Sequence, residues 1–168
     1  ERFGYYDIFL VDPRGNIVYS VFKEVDFGTS LISGPYADTN FGEVFRSALA
    51  ADEPEAVFIA DFEPYRPSYN APASFIASPV FDGDENIGVL IFQMPIDRIN
   101  SIMTNAQNWS DVGLGESGET YLVGPDLRLR NQSRFLIEDS DNYFQAIAAG
   151  GVPETIIDRI RSLNSTIG

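Results

Sequence analysis

The run Tyr5-Tyr6-Asp7-Ile8-Phe9-Leu10-Val11 is almost wholly aromatic and aliphatic, and it meets the turn-forming cluster Asp12-Pro13-Arg14-Gly15-Asn16 before a second apolar run from Ile17 to Phe22. Aromatic and β-branched side chains suit a pleated, half-buried surface, while Asp, Pro, Gly and Asn favour a tight reversal. A β-hairpin is therefore expected. The period then changes. Residues 26–40 are rich in Gly, Ser, Thr and Asp and read as an irregular loop. Phe41, Val44, Phe45, Ala48 and Leu49 recur at the spacing of an amphipathic helix, with Asn40 placed to cap it and Asp52-Glu53-Pro54 to stop it.

Three more strands are expected, Ala56 to Phe62, Ala73 to Phe81 and Ile87 to Met94, with Asp82-Gly83-Asp84-Glu85-Asn86 turning between the last two. Ile96, Ile99, Ile102 and Met103 mark a helix running from Pro95 toward Trp109, with proline in the first turn where its missing N–H is harmless. This order predicts an α+β fold, a five-stranded antiparallel sheet flanked by helices. After a glycine-rich link, Glu119 to Asp126 starts another strand–turn–strand ending near Arg130, and residues 140–149 and 153–163 read as helices. Thr120-Tyr121-Leu122-Val123-Gly124-Pro125 echoes Ile8-Phe9-Leu10-Val11-Asp12-Pro13. The echo suggests a first module over residues 1–110 and the truncated start of a related one over residues 111–168.

Composition removes most catalytic chemistry. The 168 residues include no Cys and no His, so a thiolate nucleophile, a Ser-His-Asp triad and the commonest zinc ligands are all missing. No enzyme, metal site or cofactor is expected. With 25 acidic against 11 basic residues the net charge is -14, which repels nucleic acid and anionic lipid and attracts cations, amines or Ca²⁺. Such a surface also serves solubility. A hydrophobic share of 44% and an aromatic share of 13% are too high for a disordered chain. No apolar run approaches the roughly 20 residues that cross a bilayer. Glu1-Arg2-Phe3-Gly4, with no basic-then-apolar leader, and Ser165-Thr166-Ile167-Gly168 both read as cuts through a longer protein.

Two motifs lose their chemistry in context. Gly113-Leu114-Gly115-Glu116-Ser117-Gly118 spells a dinucleotide fingerprint, but a helix precedes it and a strand follows, the reverse of what a pyrophosphate needs, so it reads as a flexible linker. Asp82 to Asn86 resembles the start of a calcium loop, yet Ile87 and Gln93 stand where glycine and a bidentate glutamate belong. Asn108-Trp109-Ser110, Asn131-Gln132-Ser133 and Asn164-Ser165-Thr166 fit a glycosylation sequon, which has meaning only in a eukaryotic secreted protein. Lys23-Glu24 reads as an ion pair at a strand edge.

The segment from Asp61 to Pro72 stands out, with prolines at 64, 67 and 72 stiffening it and Tyr65 and Tyr69 beside an acidic strand end. Rigid aromatic walls with few polar groups make a small-molecule pocket. Asp61 is placed to pair an ammonium group, with Tyr65 and Tyr69 adding cation–π or hydrogen-bond contacts. The candidate ligand-binding residues are Asp61, Tyr65, Tyr69, Phe75, Phe58 and Tyr36, and the competing reading is a structural loop whose tyrosines cover the core. Replacing Tyr65 or Asp61 by alanine is expected to weaken ligand response without unfolding the chain.

The segments YYDIFLVDPRGNIVYSVFKEVDFGTSL, FIADFEPYRPSYNAPASFIASPVFD, GVLIFQMPIDRIN and GLGESGETYLVGPDLRLRNQSRFL resemble the extracytoplasmic double-Cache regions, built of PAS-like modules, of bacterial transmembrane receptors. Such receptors include methyl-accepting chemotaxis proteins and some membrane nucleotide cyclases and histidine kinases. The resemblance implies a periplasmic sensor between two membrane helices, usually homodimeric. Its partner would be a small molecule, an amine or an organic acid, met directly or through a periplasmic binding protein. Ligand binding would be transmitted as a helix displacement. A non-binding dimerisation or spacer module is the other class of reading. The family's long stalk helix is not found before Phe3, and its amino-acid-binding aromatic–Arg–Trp–Tyr–Asp pattern is not evident, Trp109 being the only tryptophan.

Overall fold

The computed structural model describes residues 4–94 and 96–167, so the reading of Pro95 as a first-turn proline lies outside the described residues. The chain forms two compact units, Glu1–Pro95 and Ile96–Gly168. In the first, strands β1 (Asp7–Val11), β2 (Ile17–Ser20), β3 (Phe58–Tyr65), β4 (Ala71–Asp82) and β5 (Glu85–Met94) form one sheet in the order β2-β1-β5-β4-β3, and helix α1 (Asn40–Leu49) joins β2 to β3. Every neighbouring pair is antiparallel.

Helix α1 turns Phe41, Val44, Phe45 and Ala48 inward onto β3, β4 and β5. The Phe41 and Phe75 rings stack with centroids 4.5 Å apart, and Phe9 lies 4.8 Å from Phe41. The cap falls at Thr39, one residue before the expected Asn40. Asn40 instead ties the helix to the sheet. Its amide donates to the carbonyls of Asp61 and Ala73, each at 2.8 Å, and so fastens the helix start to β3 and β4.

The proline- and tyrosine-rich stretch is less of a loop than its composition suggests. Strand β3 continues through Pro64, tolerated on an edge strand because no ladder donor is needed there, to Tyr65. A 3-10 turn at Arg66–Ser68 then leads into β4. Between Ala60 and Glu63 the register shifts by one residue, since Ala60 faces Phe75 and Glu63 faces Ala73. Such a bulge reverses which side chains point inward. Phe58 and Ala60 before it, and Tyr65 after it, therefore share the face that α1 covers.

The second unit contains α2 (Ile96–Met103), α3 (Arg134–Glu138), α4 (Ser140–Ala149) and α5 (Glu154–Leu163). Helix α2 ends well short of Trp109 because Asn105, Ala106 and Gln107 all take left-handed backbone angles. The glycine-rich segment is pinned rather than loose: the buried Arg134 guanidinium donates to the carbonyls of Gly115 and Gly118 and lies 4.7 Å over the Trp109 ring. The expected strand–turn–strand near Tyr121 is reduced to a single bridge between Val123 and Leu129.

That bridge repeats the first hairpin in detail. Asp12 N–H bonds Asn16 O and Gly15 N–H bonds Asp12 O, while Gly124 N–H bonds Arg128 O and Leu127 N–H bonds Gly124 O. Val11 faces Ile17 as Val123 faces Leu129. Gly15 and Leu127 occupy the same left-handed position, at φ 83° and 63°. A left-handed conformation costs an L-residue about 1–2 kcal/mol, partly offset by the greater freedom glycine loses on folding. Leu127 is also largely exposed and packs little. Leu127→Gly is expected to stabilise the second unit by about 0.5–1 kcal/mol in urea unfolding; a loss of stability would contradict the turn geometry.

Candidate functional site

Alternation along β1 places Asp7 on the same buried side as Phe9 and Val11, and alternation along β5 places Gln93 with Ile91 and Val89. Asp7 and Gln93 face each other across the β1–β5 ladder, and Gln93 faces Phe75 across β5–β4. One end of the core is thus polar. The Asp7 carboxylate accepts bonds from Ser20 Oγ and the Val21 N–H, both at 2.8 Å, and from the Ile8 N–H. Gln93 Nε2 donates to Ser68 Oγ in the 3-10 turn after β3.

The segment following β2 adds two more acids. Asp26 is fully buried, and its Oδ2 accepts the Tyr65 hydroxyl at 2.5 Å. Glu24 Oε1 accepts the Tyr6 hydroxyl at 3.1 Å. Beside them opens a cleft of about 470 Å³ lined by Glu24, Val25, Pro35, Tyr36, Arg66, Pro67 and Tyr69. Its size suits a small molecule. Tyr36 forms part of the wall and its ring lies 5.8 Å from Tyr65, which in turn packs 5.1 Å from Phe75.

The six residues singled out from sequence divide accordingly. Tyr36 and Tyr69 line the cleft, with Tyr69 93% exposed at a left-handed turn position. Tyr65 sits behind the wall as the partner of Asp26. Phe75 is fully buried in the core, and Phe58 packs against that core half-buried. Asp61 is exposed at the β3 bulge, where its Oδ1 accepts the Phe62 N–H, and it does not line the cleft. Tyr65→Ala would remove a ring packed against three others, at a cost of about 3–5 kcal/mol, so it cannot report on ligand alone. Glu24, Asp26, Asp7 and Gln93 escaped the sequence reading. Lys23 makes no ion pair with Glu24 among the described residues; its ammonium lies 6.0 Å over the Phe27 ring.

Burial lifts Asp26 above the ordinary carboxyl range, opposed by the Tyr65 hydrogen bond and reinforced by the Asp7 charge. Burial lifts Glu24 as well, with the Asp26 and Asp7 charges adding to it against the Tyr6 bond. Tyr65 is held protonated by burial and then by the Asp26 charge. For both acids the folded pKa lies above the unfolded one, so between those values the folded chain binds more protons and stability falls as pH rises. The contribution is present below the ordinary carboxyl pKa and is lost as pH rises through it toward the raised value. Asp26→Asn keeps an acceptor for Tyr65 and removes the charge. It is expected to raise Tm at pH 7 by about 2–4 °C, with the gain gone near pH 4. Melts at both pH values check this, and a lower Tm at pH 7 would contradict it.

No protein-family model matches the chain, and no curated protein matches it in sequence. Among solved structures it is similar to the ligand-binding domain of the Pseudomonas aeruginosa PAO1 amino acid chemoreceptor PctC in complex with GABA, at a TM-score of 0.54 and 12% identity, covering 79% of this chain and 52% of that one. It is also similar to the ligand-binding domain of the Pseudomonas fluorescens chemoreceptor CtaA in complex with L-serine, at a TM-score of 0.53 and 12% identity, covering 77% and 48%. The ligand-binding domain of the Campylobacter jejuni chemoreceptor Tlp3 in complex with 4-methylisoleucine matches at a TM-score of 0.53 and 10% identity, covering 77% and 44%. The chain spans about half the length of these structures. It has the α+β fold of these chemoreceptor ligand-binding domains.

Proposed function

We propose that the chain is the extracytoplasmic small-molecule-sensing region of a bacterial membrane receptor, with the cleft between Glu24 and Tyr69 as its ligand site. The observation that carries this reading is a buried polar end of the core with Glu24, at its margin, on the wall of a cleft that Tyr36 and Tyr69 also line. The ligands named with the similar structures, L-serine, GABA and 4-methylisoleucine, are of a size that such a cleft holds. A chemotaxis receptor is the favoured whole protein, with periplasmic placement and a homodimeric receptor following from that choice; a nucleotide cyclase or histidine kinase would use the same sensor differently. Among the described residues no helix is long and apolar enough to cross a membrane. The matching hairpin turns support reading residues 111–168 as the truncated start of a related module.

A ligand switches a receptor only if it binds one conformation better than the other. Strand β5 carries Gln93 at the polar end of the core and ends at Met94, and α2 begins at Ile96. A ligand that reorders the groups around Gln93 therefore acts on the chain directly before α2, and α2 is the helix we propose to be displaced.

The test is a thermal-shift screen of the 168-residue chain against amines, amino acids and organic acids. A ligand at about 100 times its Kd adds about 2.7 kcal/mol, a rise on the order of 5–10 °C here. Tyr69→Ala, at an exposed position, should leave the unliganded Tm unchanged and abolish the shift. No hit in the screen, or a hit that survives Tyr69→Ala, would contradict this placement of the site.

A further inference from the structure

Among the described residues, the buried side-chain polar atoms that lack any hydrogen-bond partner are Glu24 Oε2, Asp26 Oδ1 and Gln93 Oε1. All three are acceptors, and all three belong to the polar end of the core. A buried acceptor without a donor carries its full desolvation cost, and a native structure rarely leaves several such atoms together. Glu24 lines the cleft itself. Asp26 is fully buried, with its other oxygen held by Tyr65. Gln93, 4% exposed, is anchored through its nitrogen to Ser68 while its oxygen stays unmet.

We infer that the ligand presents a primary ammonium group to Glu24 on the cleft wall, on the side of the cleft where the unmet oxygens of Asp26 and Gln93 lie buried, with its carbon skeleton between Tyr36 and Tyr69; this rests on the sensor reading above. The charge balance selects the sign. Glu24 and Asp26 are joined nearby by Asp7, whose charge reaches both. Arg66, the cation on the cleft wall, forms no ion pair with any of them among the described residues. An anion or a neutral molecule placed here would leave the buried Asp26 and the half-buried Glu24 without a compensating positive charge. A metal ion fits less well, because among the described residues no three acidic side chains converge closely enough to hold one. An ammonium supplies both what the oxygens lack, positive charge and three donors.

The experiment is calorimetric titration of the 168-residue chain at pH 7 with the primary alkylamines from ethylamine to hexylamine, the matching alcohols and carboxylates, and tetramethylammonium. At least one primary amine should bind, with its alcohol and carboxylate at least tenfold weaker. Tetramethylammonium, which has the charge but no N–H, should also be at least tenfold weaker, separating hydrogen bonding from cation–π attraction. Glu24→Gln and Asp26→Asn should each weaken the amine at least tenfold, although Asp26→Asn is expected to stabilise the free protein. Silence across the amines, equal binding of tetramethylammonium, or unchanged affinity in both variants would overturn the inference. A carboxylate or alcohol that binds in a Tyr69-dependent way while amines do not would overturn it too, yet leave the sensor reading standing.

Discussion

Tyr65 and Asp26 meet at 2.5 Å from opposite edges of a five-stranded sheet. Asp26 follows β2, the strand at one margin, and Tyr65 closes β3, the strand at the other. The segment after β2 therefore crosses the core face of the sheet, and this hydrogen bond is where the crossing is secured. The Tyr65 ring also touches Tyr36, Phe41 and Phe75, so the same side chain completes the aromatic core and marks its polar end. Removing the hydroxyl leaves a buried carboxylate oxygen unmet, and removing the acid frees the hydroxyl. Backbone bonds from Ile17 to Thr29 and from Leu31 to Gly15 hold the segment to the hairpin side. The far side depends on Tyr65.

The arrangement is costly for the fold and, under the proposed function, useful for binding. Buried carboxylates without a cationic partner destabilise a protein unless something else supplies charge and donors. The three unmet oxygens lie at this end of the core, and Phe9, Phe41 and Phe75 form a close-packed aromatic cluster beyond it. Stability given up in one place, beside a cleft and in a fold shared with ligand-binding domains, is the pattern expected where function competes with folding.

The sheet, its antiparallel order and α1 were legible because their hydrophobic periods are strong and long. Asp7 and Gln93 were also within reach of the sequence. Each is in phase with two buried apolar neighbours, and a polar residue on a core face signals either a partner or a ligand. The position of Tyr65 was not legible. A strict alternation from Phe58 and Ala60 points Pro64 inward and Tyr65 outward, and only the bulge reverses this. Asp26 lies in a stretch with no period at all, so its burial depends on tertiary packing. Asp61 drew attention by standing at an apparent strand end, but β3 runs on for four more residues past it. In the second unit, Arg134 fixes a glycine-rich segment whose composition alone reads as loose.

The core and the crossing segment meet at Asp26, a buried acid without a cationic partner among the described residues, held by Tyr65. A side-chain carboxyl NMR titration of the ligand-free protein tests this directly. The Asp26 midpoint should lie above the 3.8 of an ordinary aspartate. A midpoint at or below that value would show an acid already solvated or paired, and would contradict it.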